Sequence, residues 1–185
     1  MSQPTPWKLA VTGGFGVLAA IALLSRDWTI RELAAVAGLA LVARGALHLV
    51  TASLAGLAGA LAVLAVVGDV GVGAAALLWP SPTLLSLVLL VGSWTVVRGI
   101  AGATIAVTTR ADNSNWPIFF VFATVEVALA VALIARPTGS VRAAAVTIGL
   151  LLLVEGAREI AGAGSSIRRE RRSHTMAPTQ PAATA

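Results

Sequence analysis

Long apolar runs separated by short polar breaks fill most of the chain. They predict six membrane-spanning helices at about residues 8–25, 30–52, 56–79, 83–108, 116–135 and 141–163. The breaks are Ser25-Arg26-Asp27, Ser53 to Gly56, Trp79-Pro80-Ser81-Pro82, Arg110 to Asn115, and Arg136-Pro137-Thr138-Gly139. Proline makes two of them hard stops, because it removes a backbone donor and restricts its predecessor. The runs are too long for strands and do not alternate. The expected fold is therefore an all-α polytopic membrane protein whose six transmembrane helices form three repeated helical hairpins, 8–52, 56–108 and 116–163. Residues 1–7 form a short N-terminal tail, and residues 164–185 form a basic tail with little to bury, expected to be irregular.

Composition sharpens this. Of 185 residues, 57% are hydrophobic and 11% charged, with a mean hydropathy of +0.89. So few charges cannot build a water-facing surface, which excludes an ordinary soluble enzyme and a disordered chain. No cysteine is present, so disulfides, thiolate metal sites and cysteine nucleophiles drop out. The first apolar run is too long for a signal peptide and has no clear small-x-small site before Arg26, so an uncleaved span is expected. Trp7, Trp28, Trp79 and Trp116 fall at predicted span ends, where indoles favour the headgroup level, while Trp94 is interior and reads as a packing residue. Lys8, Arg110, Arg168, Arg169, Arg171 and Arg172 lie on the face of the termini, against Arg26, Arg31, Arg136 and Arg142 opposite. That imbalance predicts cytoplasmic termini. Arg168, Arg169, Arg171 and Arg172 point to anionic lipid headgroups rather than nucleic acid.

The chain also repeats itself. The second helix of each hairpin carries two glycines seven residues apart: Gly38 and Gly45, Gly92 and Gly99, Gly149 and Gly156. Such pairs lie on one helix face and let a neighbouring backbone approach. An ionisable residue precedes the second glycine each time, as Arg44, Arg98 and Glu155. Pro80 and Pro137 lie 19 residues before the later glycine, and Asp69 and Glu126 lie 11 residues before those prolines. The first hairpin has Arg26 and Phe15 at those places.

This triplicated hairpin, with its turn proline and glycine-bearing second helix, resembles the HdeD-type acid-resistance membrane protein family over about residues 8–163. The resemblance implies a small bacterial inner-membrane protein linked to acid or envelope stress tolerance. It implies no enzymatic activity, no cofactor and no catalytic residue. The missing proline of the first hairpin departs from the pattern.

Charges inside a bilayer are costly and normally face the protein interior. The deep set is Arg44, Asp69, Arg98, Glu126 and Glu155, with His48 one turn beyond Arg44 and with Arg158 and Glu159 nearer a membrane face. Depth along the helices suggests Asp69 with Arg98 as the first ion pair, and Arg44 meeting Glu126 and Glu155 if the repeats close around an axis. Two cations against three acids leave one negative charge, so either a carboxyl, Glu126 or Glu155 first, holds a proton or His48 is charged. The network is expected either to fix helix register or to respond to pH.

Other patterns add little. Gly68-Asp69-Val70-Gly71-Val72-Gly73 lacks the lysine ending of a phosphate loop and lies inside an apolar helix. Phe119, Phe120 and Phe122 read as lipid-facing or core residues. Glu155 and Glu159 share a helix face, with Arg158 as the expected local partner. His48 and His174 are too few for a histidine metal site. Lipids are the expected neighbours, and a second copy or another membrane protein is the partner class left open. Besides the stress-tolerance reading, a small proton-coupled transporter or channel and a membrane scaffold or accessory subunit remain as alternatives.

Overall fold

The computed structural model describes residues 6–51, 56–79, 81–111, 113–136 and 140–175, with side chains in α6 described as far as Gly164. Pro80, Pro137 and the Ser53 break lie outside the described residues, as do the side chains of Arg168, Arg169, Arg171 and Arg172. Among the described residues there are six helices and no strand: α1 (Pro6–Ser25), α2 (Ile30–Thr51), α3 (Gly56–Leu78), α4 (Leu84–Thr108), α5 (Trp116–Ala135) and α6 (Val141–Thr175). Four contain segments long and apolar enough to cross a membrane: Ile30–Leu49, Gly59–Leu78, Leu84–Thr108 and Trp116–Ala135. The apolar part of α1 is shorter, Ala10–Ser25. In α6 the residues Arg142, Glu155, Arg158 and Glu159 interrupt the apolar run. That helix also continues to Thr175, into the segment expected to be irregular.

Each second helix begins at a hydroxyl cap. Thr29 and Glu32 form a reciprocal box, the Thr29 N–H donating to Glu32 at 3.0 Å and the Glu32 N–H to the Thr29 hydroxyl at 3.3 Å. Thr83 and Ser86 form another, and Ser140 accepts from the Ala143 N–H at 3.1 Å. Thr29, Thr83 and Ser140 each stand 16 residues before Gly45, Gly99 and Gly156, so the cap belongs to the repeat.

The helices close into a ring in chain order, with α6 returning to α1. Its tight seams are not those within the hairpins. They are α6/α1, α2/α3 and α4/α5, where the second helix of one hairpin meets the first helix of the next. The glycine pairs make these seams. A Cβ on Gly38 would come within 2.7 Å of the Gly73 carbonyl, and one on Gly156 within 2.6 Å of the Gly13 carbonyl. Gly92 and Gly99 lie equally close to Ile134 and Val127. The hairpin seams α1/α2, α3/α4 and α5/α6 are looser.

Two ends of the ring differ. Toward Trp28, the interior is a layer of buried apolar side chains, including Leu23, Leu33, Leu87, Val91, Leu133, Ile148 and Leu151, and a cavity of about 610 Å³ lined by Leu84, Leu133, Arg136, Ser140 and Ala144 opens beside it. Asp27 and Arg142 join across that rim at 2.6 Å. Large apolar side chains such as Leu18, Val67, Ile100 and Val121 point outward from mid-helix, as lipid contact requires.

Candidate functional site

A layer of charge crosses the middle of the ring. Arg44, Arg98 and Glu155 each lie 14 residues after the first residue of α2, α4 and α6. That puts all three about 21 Å along their helices. Asp69 and Glu126 each lie nine residues before the last residue of α3 and α5. All five are buried, Asp69 and Glu126 to 1% exposure.

Arg44 grips Asp69 with two donors, Nε to Oδ2 at 2.9 Å and Nη2 to Oδ1, and pairs with Glu155 through Nη1. Arg98 pairs with both Glu126 and Glu155. The pairing expected from depth, Asp69 with Arg98, is therefore replaced. Each cation of a second helix meets the acid of the next hairpin's first helix, because the tight seams join consecutive hairpins rather than the two arms of one. Glu126 likewise goes to Arg98, not to Arg44.

The first hairpin breaks the rule in a compensated way. Gly45 packs on the Val66 carbonyl and Val70, Gly99 on the Ala123 carbonyl and Val127, and Gly156 on the Gly13 carbonyl and Val17. The acid stands three residues after the first contact in two repeats, which assigns Gly16, not Phe15, to the vacant place. Phe15 is turned outward, 38% exposed. A cleft of about 10 Å³ lined by Thr12, Gly16, Arg44 and Glu155 occupies the spot where a carboxylate would reach. The missing acid matches the reversed charge at Glu155, which bridges the two arginines instead.

Three participants were misjudged from sequence. Trp94 is not merely packed: its indole N–H donates to Asp69 at 2.7 Å, filling a slot opened by Gly68. A buried interior tryptophan needs an acceptor, and that was the available signal. Arg158 reaches α5 as well as facing Glu159 on its own helix, donating to Glu126 at 3.4 Å beside Gly102. Glu159 is buried to 6% and meets His48 at 2.9 Å. With Arg158 and Glu159 both included, three arginines (Arg44, Arg98 and Arg158) face four buried acids (Asp69, Glu126, Glu155 and Glu159), so one negative charge is left over, and His48 stands beside Glu159.

The network is reached from the end carrying Asn113. A cavity of about 240 Å³ opens there between α3 and α4, a loose seam, and extends to Asp69, Arg98, Arg158 and His48. Leu61, Ala65, Ala101, Ile105 and Phe119 form much of its apolar wall. Glu126 and Glu155 do not line it.

A family of membrane proteins described as a short repeat of unknown function (DUF308) matches residues 60–134 and again residues 121–178. The chain belongs to this family. The two matches run from α3 to α5 and from α5 through α6, over helices that carry equivalent glycines and acids. No curated protein and no solved structure matches the chain.

Proposed function

We propose that this member of the repeat family is a bacterial inner-membrane protein of six spans, non-enzymatic, whose buried network couples proton binding to the packing of the ring. Its place is in acid or envelope stress tolerance, in keeping with the HdeD-type resemblance. One observation carries the reading: a charged layer backed by apolar side chains toward Trp28 and reached by a cavity from the Asn113 end that touches Asp69, Arg98 and Arg158. With the termini cytoplasmic, as the arginine distribution favours, the cavity faces the cytoplasm and the network samples cytoplasmic protons.

The sensing pair is His48 with Glu159. His48 is 32% exposed at the side chain and lines the cavity, whereas Glu159 is buried. Arg158 from α6, Asp69 from α3 and Arg98 from α4 share that space. A proton on His48 turns a polar contact into an ion pair and cancels the last unbalanced charge. Between about pH 8 and pH 6, the melting temperature of the wild type should rise relative to that of His48→Gln. Parallel profiles for the two proteins would remove the proposal. Glu126→Gln should shift the whole curve downward and keep its shape.

A proton-coupled transporter is the second reading, and the cavity that reaches the charged layer is what favours it. It requires a second conformation in which the apolar layer around Val91, Leu133 and Ile148 opens. Proteoliposome flux driven by a pH gradient distinguishes the two. The scaffold reading loses its main support, since Gly38, Gly45, Gly92, Gly99, Gly149 and Gly156 are spent on contacts within the chain.

A further inference from the structure

We propose that the cavity between α3 and α4 binds a small monocarboxylate with a short apolar chain, and takes it up together with a proton. The carboxylate part stands on the cavity alone. The proton part rests on the His48–Glu159 reading above.

The shape sets the size. About 240 Å³ holds roughly eight water volumes, or a ligand of about eight or nine heavy atoms. The walls set the chemistry of one end. Leu61, Ala65, Ala101 and Ile105 offer no polar group, and the small side chains at 65 and 101 are what leave the space open.

Hydrogen bonding sets the other end. Asp69 also borders the cavity, but its oxygens already accept from Arg44 and Trp94. Arg158 is the opposite case. A guanidinium has five N–H donors. Among the described residues Arg158 makes one long bond, 3.4 Å to Glu126, and its side chain is 19% exposed. Arg158 therefore brings unused donors to the polar end, where Thr109 and Asn113 also line the space. A ligand that fits must bring acceptors, and a carboxylate matches the fork of a guanidinium.

Charge sets the coupling. Arg44, Arg98 and Arg158 already face four buried acids, Asp69, Glu126, Glu155 and Glu159, with His48 beside Glu159. A further carboxylate in this low-dielectric space adds a negative charge that must be offset. His48 lines the same cavity, beside Glu159, and a proton there leaves the net charge of the site unchanged. Arg158, Arg98 and Asp69 are the other charged groups facing that space. Carboxylate affinity consequently rises as pH falls.

The test is calorimetric titration of the full chain in nanodiscs with hexanoate, at about pH 8 and pH 6. One saturable site is expected, with affinity up to tenfold higher for each pH unit and up to one proton taken up per hexanoate at the higher pH, falling toward about pH 6, read from the buffer dependence of the heat. Arg158→Gln should weaken binding on the order of ten- to a hundredfold. Ala65→Leu combined with Ala101→Leu fills the cavity without touching a charge, and should abolish binding while the protein still melts cooperatively. His48→Gln should keep hexanoate binding and lose its pH dependence.

Hexanol or hexylammonium binding as tightly as hexanoate overturns the carboxylate site. So does affinity that keeps rising through palmitate, which marks a lipid-facing groove instead. Unchanged hexanoate binding in the cavity-filled variant has the same consequence. Hexanoate binding without proton uptake overturns the coupling alone. The pH-dependent melting of the unliganded protein is a separate readout, so failure of either proposal is visible independently of the other.

Discussion

At the level of single residues, the charge balance makes two neighbouring glutamates behave oppositely. Glu155 bridges Arg44 and Arg98 at the centre of the ring. Glu155→Gln removes the carboxylate that Arg44 and Arg98 share in the buried layer. Breaking a buried pair by removing one partner typically costs about 3–5 kcal/mol. Glu159 meets His48 at the edge of a network in which four acids face three arginines, so Glu159→Gln lowers the excess of acid without breaking the central bridges, and near neutral pH it should cost little or raise the melting temperature. Melting curves of the two variants in the same detergent check this, and equal losses would show that the balance has been drawn around the wrong groups. Trp94 makes a second residue-scale case. Its N–H bond to Asp69 depends on Gly68 having no side chain, because a Cβ there would overlap the indole ring. Gly68→Ala should displace the ring and Trp94→Phe should delete the donor. Each exposes a buried acceptor to a loss of about 1–3 kcal/mol, measurable by thermal unfolding. If both act through that one bond, the double variant costs no more than Gly68→Ala alone.

The helices were largely legible in the sequence, and their partners were not. Apolar run length and proline placed the elements, since a bilayer fixes how many apolar residues a helix needs. The glycine spacing showed which face of each second helix packs closely. It did not show against what, because proximity in the chain favours the hairpin mate, whereas backbone contact such as Gly38 on Gly73 selects the next hairpin. The wrong partner for Asp69 follows from that single step. The caps at Thr29, Thr83 and Ser140 were visible in the repeat register but carry only a local signal among many hydroxyls. Arg158 and Glu159 were placed too near the surface because α6 runs on past them to Thr175. The seams yield a prediction of their own. Gly13 and Gly156 touch backbone to backbone, so Gly156→Val should separate α6 from α1 and cost more than 1 kcal/mol, in the range of about 1–3 kcal/mol for overpacking. Gly14 and Gly71 have open space, and alanine at either should be neutral or stabilise by up to about 1 kcal/mol through helix propensity. Unfolding measurements on the three variants separate seam glycines from incidental ones.

For the molecule as a whole, the decisive property is asymmetry across the membrane. A cavity on the Asn113 side reaches Asp69, Arg98 and Arg158 of the charged layer, whereas the larger one on the other side is lined by Leu84, Leu133, Arg136 and Ser140 and stops short of it. A chain with no cysteine allows this to be read directly, since any introduced thiol is the only one present. Thiol reagents react through the thiolate, which requires contact with water. Ala65→Cys lines the cavity and should react with a membrane-impermeant reagent added to the cytoplasmic face, and not with reagent added outside. Ile148→Cys lies in the apolar layer, 2% exposed, and should stay unmodified from both faces. Thr83→Cys, an exposed cap at the far rim, should react from the outer face and report the orientation independently. Labelling of Ile148→Cys from the outer face would mean that the apolar layer opens in the native membrane. The ring would then alternate its access, and the transporter reading would replace the sensor. Labelling of Ala65→Cys from outside together with Thr83→Cys from inside would invert the topology, leaving the network intact but placing its proton source outside the cytoplasm.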